Sequence, residues 1–187
     1  RVEYVRGLEF EVNGTIPITV VSRAEHRNRT LGDDSTESAA YRAFDNTRFE
    51  ALLLVGERTG SLETQRTNRA ATTQGYYDLH NDSIVLITDT DQPQFDGEET
   101  LAQEVGHALQ DTRFNVTALR SSVRTRDGLN GQNGLVEGDG NLIDARYMDR
   151  CGEEWDCIQP PEETGPVSAS GAGDVHVGIN MLRYFPY

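Results

Sequence analysis

A chain of 187 residues is long enough to bury a substantial core unaided, and one domain is the expectation. Its 31 acidic residues stand against 17 basic ones, all of them Arg, and the resulting formal charge of -14 argues against nucleic acid as a partner, because phosphates would be repelled. No stretch reaches the about 18 apolar residues that a bilayer span needs; the longest, Ala51-Leu52-Leu53-Leu54-Val55, suits a buried helix.

The first element expected along the chain is a strand in Ile16-Pro17-Ile18-Thr19-Val20-Val21-Ser22, which is β-branched and follows Gly14. Over residues 35–56, Ala39, Ala40, Ala43, Phe44, Leu52, Leu53 and Val55 recur at helical spacing, with Asp34 or Ser35 as N-cap and Gly56 near the end. A hairpin is expected next, because Gly75-Tyr76-Tyr77-Asp78 and Ser83-Ile84-Val85-Leu86-Ile87-Thr88 flank a Leu-His-Asn-Asp turn. The segment Asp96-Gly97-Glu98-Glu99 reads as a capping box, and Leu101, Val105, Ala108 and Leu109 then mark a helix to about Asp111. Residues 121–133, rich in Ser, Arg, Gly and Asn, read as a surface loop, and a second amphipathic helix is expected over 134–149. The Pro, Glu, Gly and Ser content of 159–173 reads as irregular. The class is α+β in a single domain over 1–187: an N-terminal strand-and-helix part (1–74), the hairpin and motif helices (75–150), and a disulfide loop with a C-terminal segment (151–187). Arg1 and the apolar, aromatic Met181-Leu182-Arg183-Tyr184-Phe185-Pro186-Tyr187 both read as cut ends.

Chemistry concentrates in Gln103-Glu104-Val105-Gly106-His107. Residues four apart share a helix face, so Gln103 and His107 point the same way with Glu104 beside them. That is the arrangement in which two His at i and i+4 hold zinc and the Glu after the first acts as general base, except that the first position here is Gln.

Together with Ala108-Leu109-Gln110-Asp111 and the downstream Leu135-Val136-Glu137-Gly138-Asp139, this segment resembles the gluzincin class of zinc peptidases. It looks similar to prokaryotic, notably haloarchaeal, surface proteins that pair a helix ending in His-Ala-Leu-Gln-Asp with one containing Val-Glu-Gly-Asp, over roughly residues 75–187. The resemblance implies a zincin-like fold, a small twisted sheet packed on the motif helix and a second, ligand-bearing helix. It implies His107 and Glu137 as zinc ligands, Glu104 as general base, and Gln103 in place of the first ligand. A neutral amide is a far weaker zinc donor than imidazole, so zinc is the implied cofactor and catalysis the implied loss. His176 is the best substitute ligand; His80 and His26 read as surface residues. Asp89, Asp91, Asp96, Glu98 and Glu99 read as a solvated acidic rim without the spacing of a calcium loop.

Cys151 and Cys157, with five residues between them in a stretch with no other ligand pair, read as a local disulfide formed outside the cytoplasm. Sequons at Asn13, Asn28, Asn81 and Asn115 agree with a glycosylated, extracellular or cell-surface protein. The acidic, Lys-free composition reads as adaptation to high salt, with a codon bias toward Arg as the other reading. Two functions stay open: a structural, adhesive or binding protein that has lost catalysis, its partners being protein, peptide or surface-layer components, and an active zinc-dependent peptidase.

Overall fold

The apolar run of residues 84–87 settles at the middle of a small sheet. In a computed structural model, which describes residues 1–11, 14–32, 38–53, 60–89 and 97–158, the strands are β1 (Ile18–Ser22), β2 (Gly75–Asp78) and β3 (Ser83–Thr88), in the order β1-β3-β2. β3 pairs in parallel with β1 and antiparallel with β2, and Ile84, Val85, Leu86 and Ile87 are all buried. A strand covered on both faces has no polar side to present, which is why its sequence runs apolar rather than alternating. The hairpin forms where expected; Asp78 Oδ1 accepts from His80 N at 2.9 Å to close the turn. β1 begins at Ile18, leaving Pro17 outside the ladder, where its carbonyl accepts from Ile84 N at 2.9 Å.

Seven helices accompany the sheet among the described residues: α1 (Val2–Arg6), α2 (Arg23–Gly32), α3 (Ala39–Ala51), α4 (Ser61–Thr72), α5 (Glu99–Phe114), α6 (Val116–Ser122) and α7 (Arg126–Met148). The mixed α+β class is therefore as expected. α5 packs on β2 and β3 and also against α1 and α7. Its far side joins Ala102 and Leu109 to Val2, Val5, Ile143 and Tyr147 in one core cluster, while Val21, Val85 and Ile87 make a second at the sheet. Burying a side chain the size of Leu109 or Ile143, both 1% exposed, contributes about 1.5–3 kcal/mol.

The α3 region departs from expectation. The helix starts at Ala39, capped by Ser38 Oγ accepting from Tyr41 N at 3.1 Å. Asp34, Ser35 and Gly56 lie outside the described residues. Ala39, Ala40 and Ala43 face solvent, as does Phe44 at 62% exposure. Leu52 and Leu53 follow the helix and are 57% and 90% exposed, which overturns the buried-helix reading for these two; Leu54 and Val55 lie outside the described residues. The reason is that α3 turns a polar residue inward. Asp45, 1% exposed, accepts from Gln65 Nε2 at 3.0 Å and Arg48 Nη2 at 2.8 Å, and its Oδ2 lies 2.9 Å from Ser61 Oγ. The buried face of α3 is thus Asp45 with its hydrogen bonds together with Phe49, 6% exposed, which was not among the residues of the expected stripe.

α7 begins at Arg126 rather than 134, so the expected surface loop holds the end of α6 and the start of α7. Thr125 Oγ1 accepts from Gly128 N at 3.1 Å and starts the helix despite the weak helix formers Gly128, Asn130, Gly131 and Asn133. α5 starts at Glu99, and its N-cap residue, Glu98, makes no side-chain cap bond, which corrects the expected capping box; Asp96 lies outside the described residues. The Glu98 carboxylate instead accepts from Arg1 Nη1 at 3.1 Å, from Ile158 N at 3.3 Å and from the Tyr147 hydroxyl. The Cys151–Cys157 disulfide holds Trp155 edge-on to Tyr147, 5.0 Å between ring centroids. No helix among the described residues is long and apolar enough to cross a membrane.

Candidate functional site

α5 and α7 run antiparallel, since residue 103 meets 141 and residue 107 meets 137. Each helix presents a pair at i and i+4, so two cross-helix contacts stack one turn apart. Gln103 Nε2 donates to Asn141 Oδ1 at 3.2 Å, and His107 Nε2 lies 3.5 Å from Glu137 Oε2. Sequence reasoning brings Gln103, His107 and Glu137 to one place, and the structure does the same.

Close approach of the two helices is permitted by glycine. A Cβ on Gly140 would stand 2.7 Å from His107 Cε1, and one on Gly106 would stand 2.8 Å from Ile143 Cδ1. A side chain at Gly140 would press on the His107 ring, and one at Gly106 would displace the end of the Ile143 side chain.

His107 is locked from its other edge. Gln110 Nε2 donates to Val136 O at 3.0 Å and to Asp139 Oδ2 at 2.8 Å, which turns the Gln110 amide oxygen toward the imidazole. His107 Nδ1 therefore donates to Gln110 Oε1 at 2.9 Å, leaving Nε2 to face Glu137. Asp139 in turn lies 2.9 Å from Arg6 Nε, so the chain of polar contacts crosses from α5 through α7 to α1. Burial disfavours the imidazolium, but the Glu137 contact and the Glu104 charge outweigh it and raise the His107 pKa to about 9.

Glu104 sits deeper, 6% exposed, toward the Tyr77 backbone amide of β2. Burial raises its pKa, opposed by the His107 charge and the Tyr77 N–H. A carboxylate so placed beside an imidazole has the character of an acid–base group.

Two donors on one tetrahedral zinc, each about 2.0–2.1 Å from the metal, stand about 3.3 Å apart. The His107–Glu137 separation of 3.5 Å is close to that. Beside the pair, Gln103 donates through Nε2 to Asn141, and no group of three or more His, Cys, Asp or Glu side chains is disposed to hold a metal among the described residues. His107 and Glu137 offer two strong donors, and the neutral amide of Gln103 is a weak one. His176, the candidate substitute, lies outside the described residues.

The other histidines divide. His80 is exposed in the hairpin turn, as expected. His26 is not on the surface: α2 turns it inward to 5% exposure, its ring 6.1 Å from that of Tyr76, and burial followed by the Arg23 charge lowers its pKa. Within the expected acidic rim, Asp89 pairs with Arg23 Nε at 2.7 Å and Glu99 is exposed, while Glu98 is drawn in by Tyr147 and Arg1. Asp91 lies outside the described residues.

Asn141, Gln110, Asp139, Gly140 and Arg6 are site residues that the sequence reading missed. Asn141 carried the plainest signal, standing four residues after Glu137 on the same helix as Gln103's partner face. Comparison with family models, curated proteins and solved structures finds no match for the chain.

Proposed function

We propose that the chain is an extracellular or cell-surface protein of metallopeptidase-like, zincin-type architecture whose catalytic position has become a hydrogen-bonded polar cluster, and that it serves a structural, adhesive or binding role. The observation that carries this reading is the Gln103–Asn141 bond of 3.2 Å, which occupies the first ligand position of the motif with a cross-helix contact. Packing of α5 between the sheet and α7, with Glu104 on the sheet side and His107 on the α7 side, supports the architecture. The disulfide and the four sequons support a location outside the cytoplasm, and the Lys-free, acidic composition supports a high-salt environment. Partners of protein, peptide or surface-layer chemistry follow from that location.

One observation favours the alternative, an active zinc-dependent peptidase with Glu104 as general base: the His107–Glu137 pair has nearly the separation of two ligands on one ion. Metal content and peptide hydrolysis measured together separate the two. The purified chain is expected to hold well under one zinc per molecule and to leave a mixed peptide library uncut, whereas Gln103→His takes up zinc. Stoichiometric zinc that His107→Ala removes, with hydrolysis that Glu104→Gln abolishes, would overturn the proposal in favour of the peptidase.

A further inference from the structure

The structure sorts the sequons by what their side chains are doing. Asn28 lies inside α2, where residues two apart point to different faces, so no single approach meets both its amide and the Thr30 hydroxyl. The Thr30 hydroxyl, moreover, lies 3.4 Å from Nε2 of the buried His26. Asn81 donates through Nδ2 to Asp78 Oδ2 at 2.7 Å, so its reactive nitrogen is held by a carboxylate, and Ser83 of the same sequon is paired with Asp78 in the sheet. Asn13 lies outside the described residues.

Asn115 is different. It stands between α5 and α6 in the left-handed region, φ 50 and ψ 66, and is exposed. Its Oδ1 caps α6 by accepting from Ala118 N at 2.9 Å. Its Nδ2 and the hydroxyl of the exposed Thr117 have no partner among the described residues. The amide is thus divided, oxygen holding a helix and nitrogen facing water. Two apolar side chains flank it, Phe114 at 50% and Leu119 at 44% exposure.

We propose that Asn115 is an N-linked glycosylation site and that its sugar lies over Phe114 and Leu119. The assignment rests on the extracytoplasmic reading given above. The glycosyl donor is a lipid-linked glycosyl phosphate. Asn115 Nδ2 attacks the anomeric carbon and an N–C bond forms; the bond from that carbon to the phosphate oxygen breaks, the phosphate leaves with the electron pair, and one Nδ2 proton passes to solvent. Oδ1 keeps its lone pairs throughout, so the cap on α6 survives modification.

The test is a tryptic map of the chain recovered from the outside of the cells that make it. Cleavage after Arg113 and Arg120 releases residues 114–120, which carry this sequon alone. The expected result is loss of the unmodified peptide and a mass increase equal to a sugar chain. Asn115→Gln and Thr117→Ala both return the peptide to its unmodified mass, and Thr117→Ser retains the sugar. Thr117→Ala leaves the Asn115 cap in place, so an unchanged melting temperature shows that loss of the sugar is not loss of the fold. A bare 114–120 peptide in exported chain whose Cys151–Cys157 bond has formed overturns the proposal and leaves the extracytoplasmic reading standing, as does sugar confined to the peptides holding Asn28 or Asn81. Recovery only from inside the cell, with both cysteines reduced, overturns that reading and the proposal with it.

Discussion

Replacing Gly140 by Ala adds one methyl group where α7 meets α5. Built on the backbone, the new Cβ stands 2.7 Å from His107 Cε1, 3.1 Å from His107 Nε2 and 3.5 Å from Gln103 Cγ. Carbon atoms are comfortable at about 3.5–4.0 Å, so the first contact is well inside the repulsive wall. The His107 ring has little room to give way, since Nδ1 is tied to Gln110 and Nε2 faces Glu137. Overpacking of this kind costs about 1–3 kcal/mol. Against it, Ala gains about 0.8–1 kcal/mol over Gly in a helix interior. Gly131→Ala, on the same helix with nothing within 4 Å of the added Cβ, receives the gain alone. The two variants therefore differ by the steric cost, about 1–3 kcal/mol, and each kcal/mol moves the melting temperature by about 2–4 °C in a domain of this size. Paired thermal and urea melts read the difference directly. If Gly140→Ala is as stable as Gly131→Ala, the helices do not meet at His107 as described and the geometry of the site is wrong.

Asp45→Ala removes a buried carboxylate that Gln65 and Arg48 donate to, and is expected to cost about 3 kcal/mol, while Phe44→Ala one residue away stays within about 0.5 kcal/mol; equal urea midpoints for the two would restore the apolar-stripe reading of α3. Cys151→Ser with Cys157→Ser is expected to cost about 2 kcal/mol by chain entropy and to change Trp155 fluorescence as the ring loses Tyr147; an unmoved spectrum would mean that the loop holds without its bond. Asp144, with Oδ1 buried and without a hydrogen-bond partner among the described residues, has its pKa raised from 3.8 to about 6 by burial and then by Glu99. Its folded pKa is above the unfolded one, so the fold takes up the proton more readily, and the contribution of this one group to stability is fully present below about pH 4 and is lost as pH rises through about 6. Asp144→Asn should flatten that decline in urea midpoints measured from about pH 4 to pH 8, and a decline of unchanged slope would remove Asp144 as its source.

The motif helix, the hairpin and the disulfide were legible because each is local, whereas only the later part of α7 was, its first turns having read as loop. Period and turn chemistry define the hairpin and α5, and six positions of separation suffice to close the Cys151–Cys157 loop. The i and i+4 rule alone places Gln103 beside His107, and a resemblance in the second helix pointed to Glu137. Sequence thus determined which side chains could share a face, because helical spacing is a property of the backbone.

Tertiary structure decided what those faces meet. α3 carries an apolar stripe that faces solvent, yet Asp45 is buried alongside Phe49, because Ser61 and Gln65 arrive from α4 with the hydrogen bonds that make a carboxylate tolerable inside. His26 lies among arginines and still turns inward against Tyr76 of the sheet. Glu98 looks like a surface acid until Arg1, Tyr147 and Ile158, distant in sequence, converge on it. At the site, Asn141 and Gly140 gain their meaning only when α7 lies against α5, one as the partner of Gln103 and the other as the space that His107 fills. Those choices depend on long-range contacts, in which the energy of a polar group is set by neighbours that no local pattern of residues specifies.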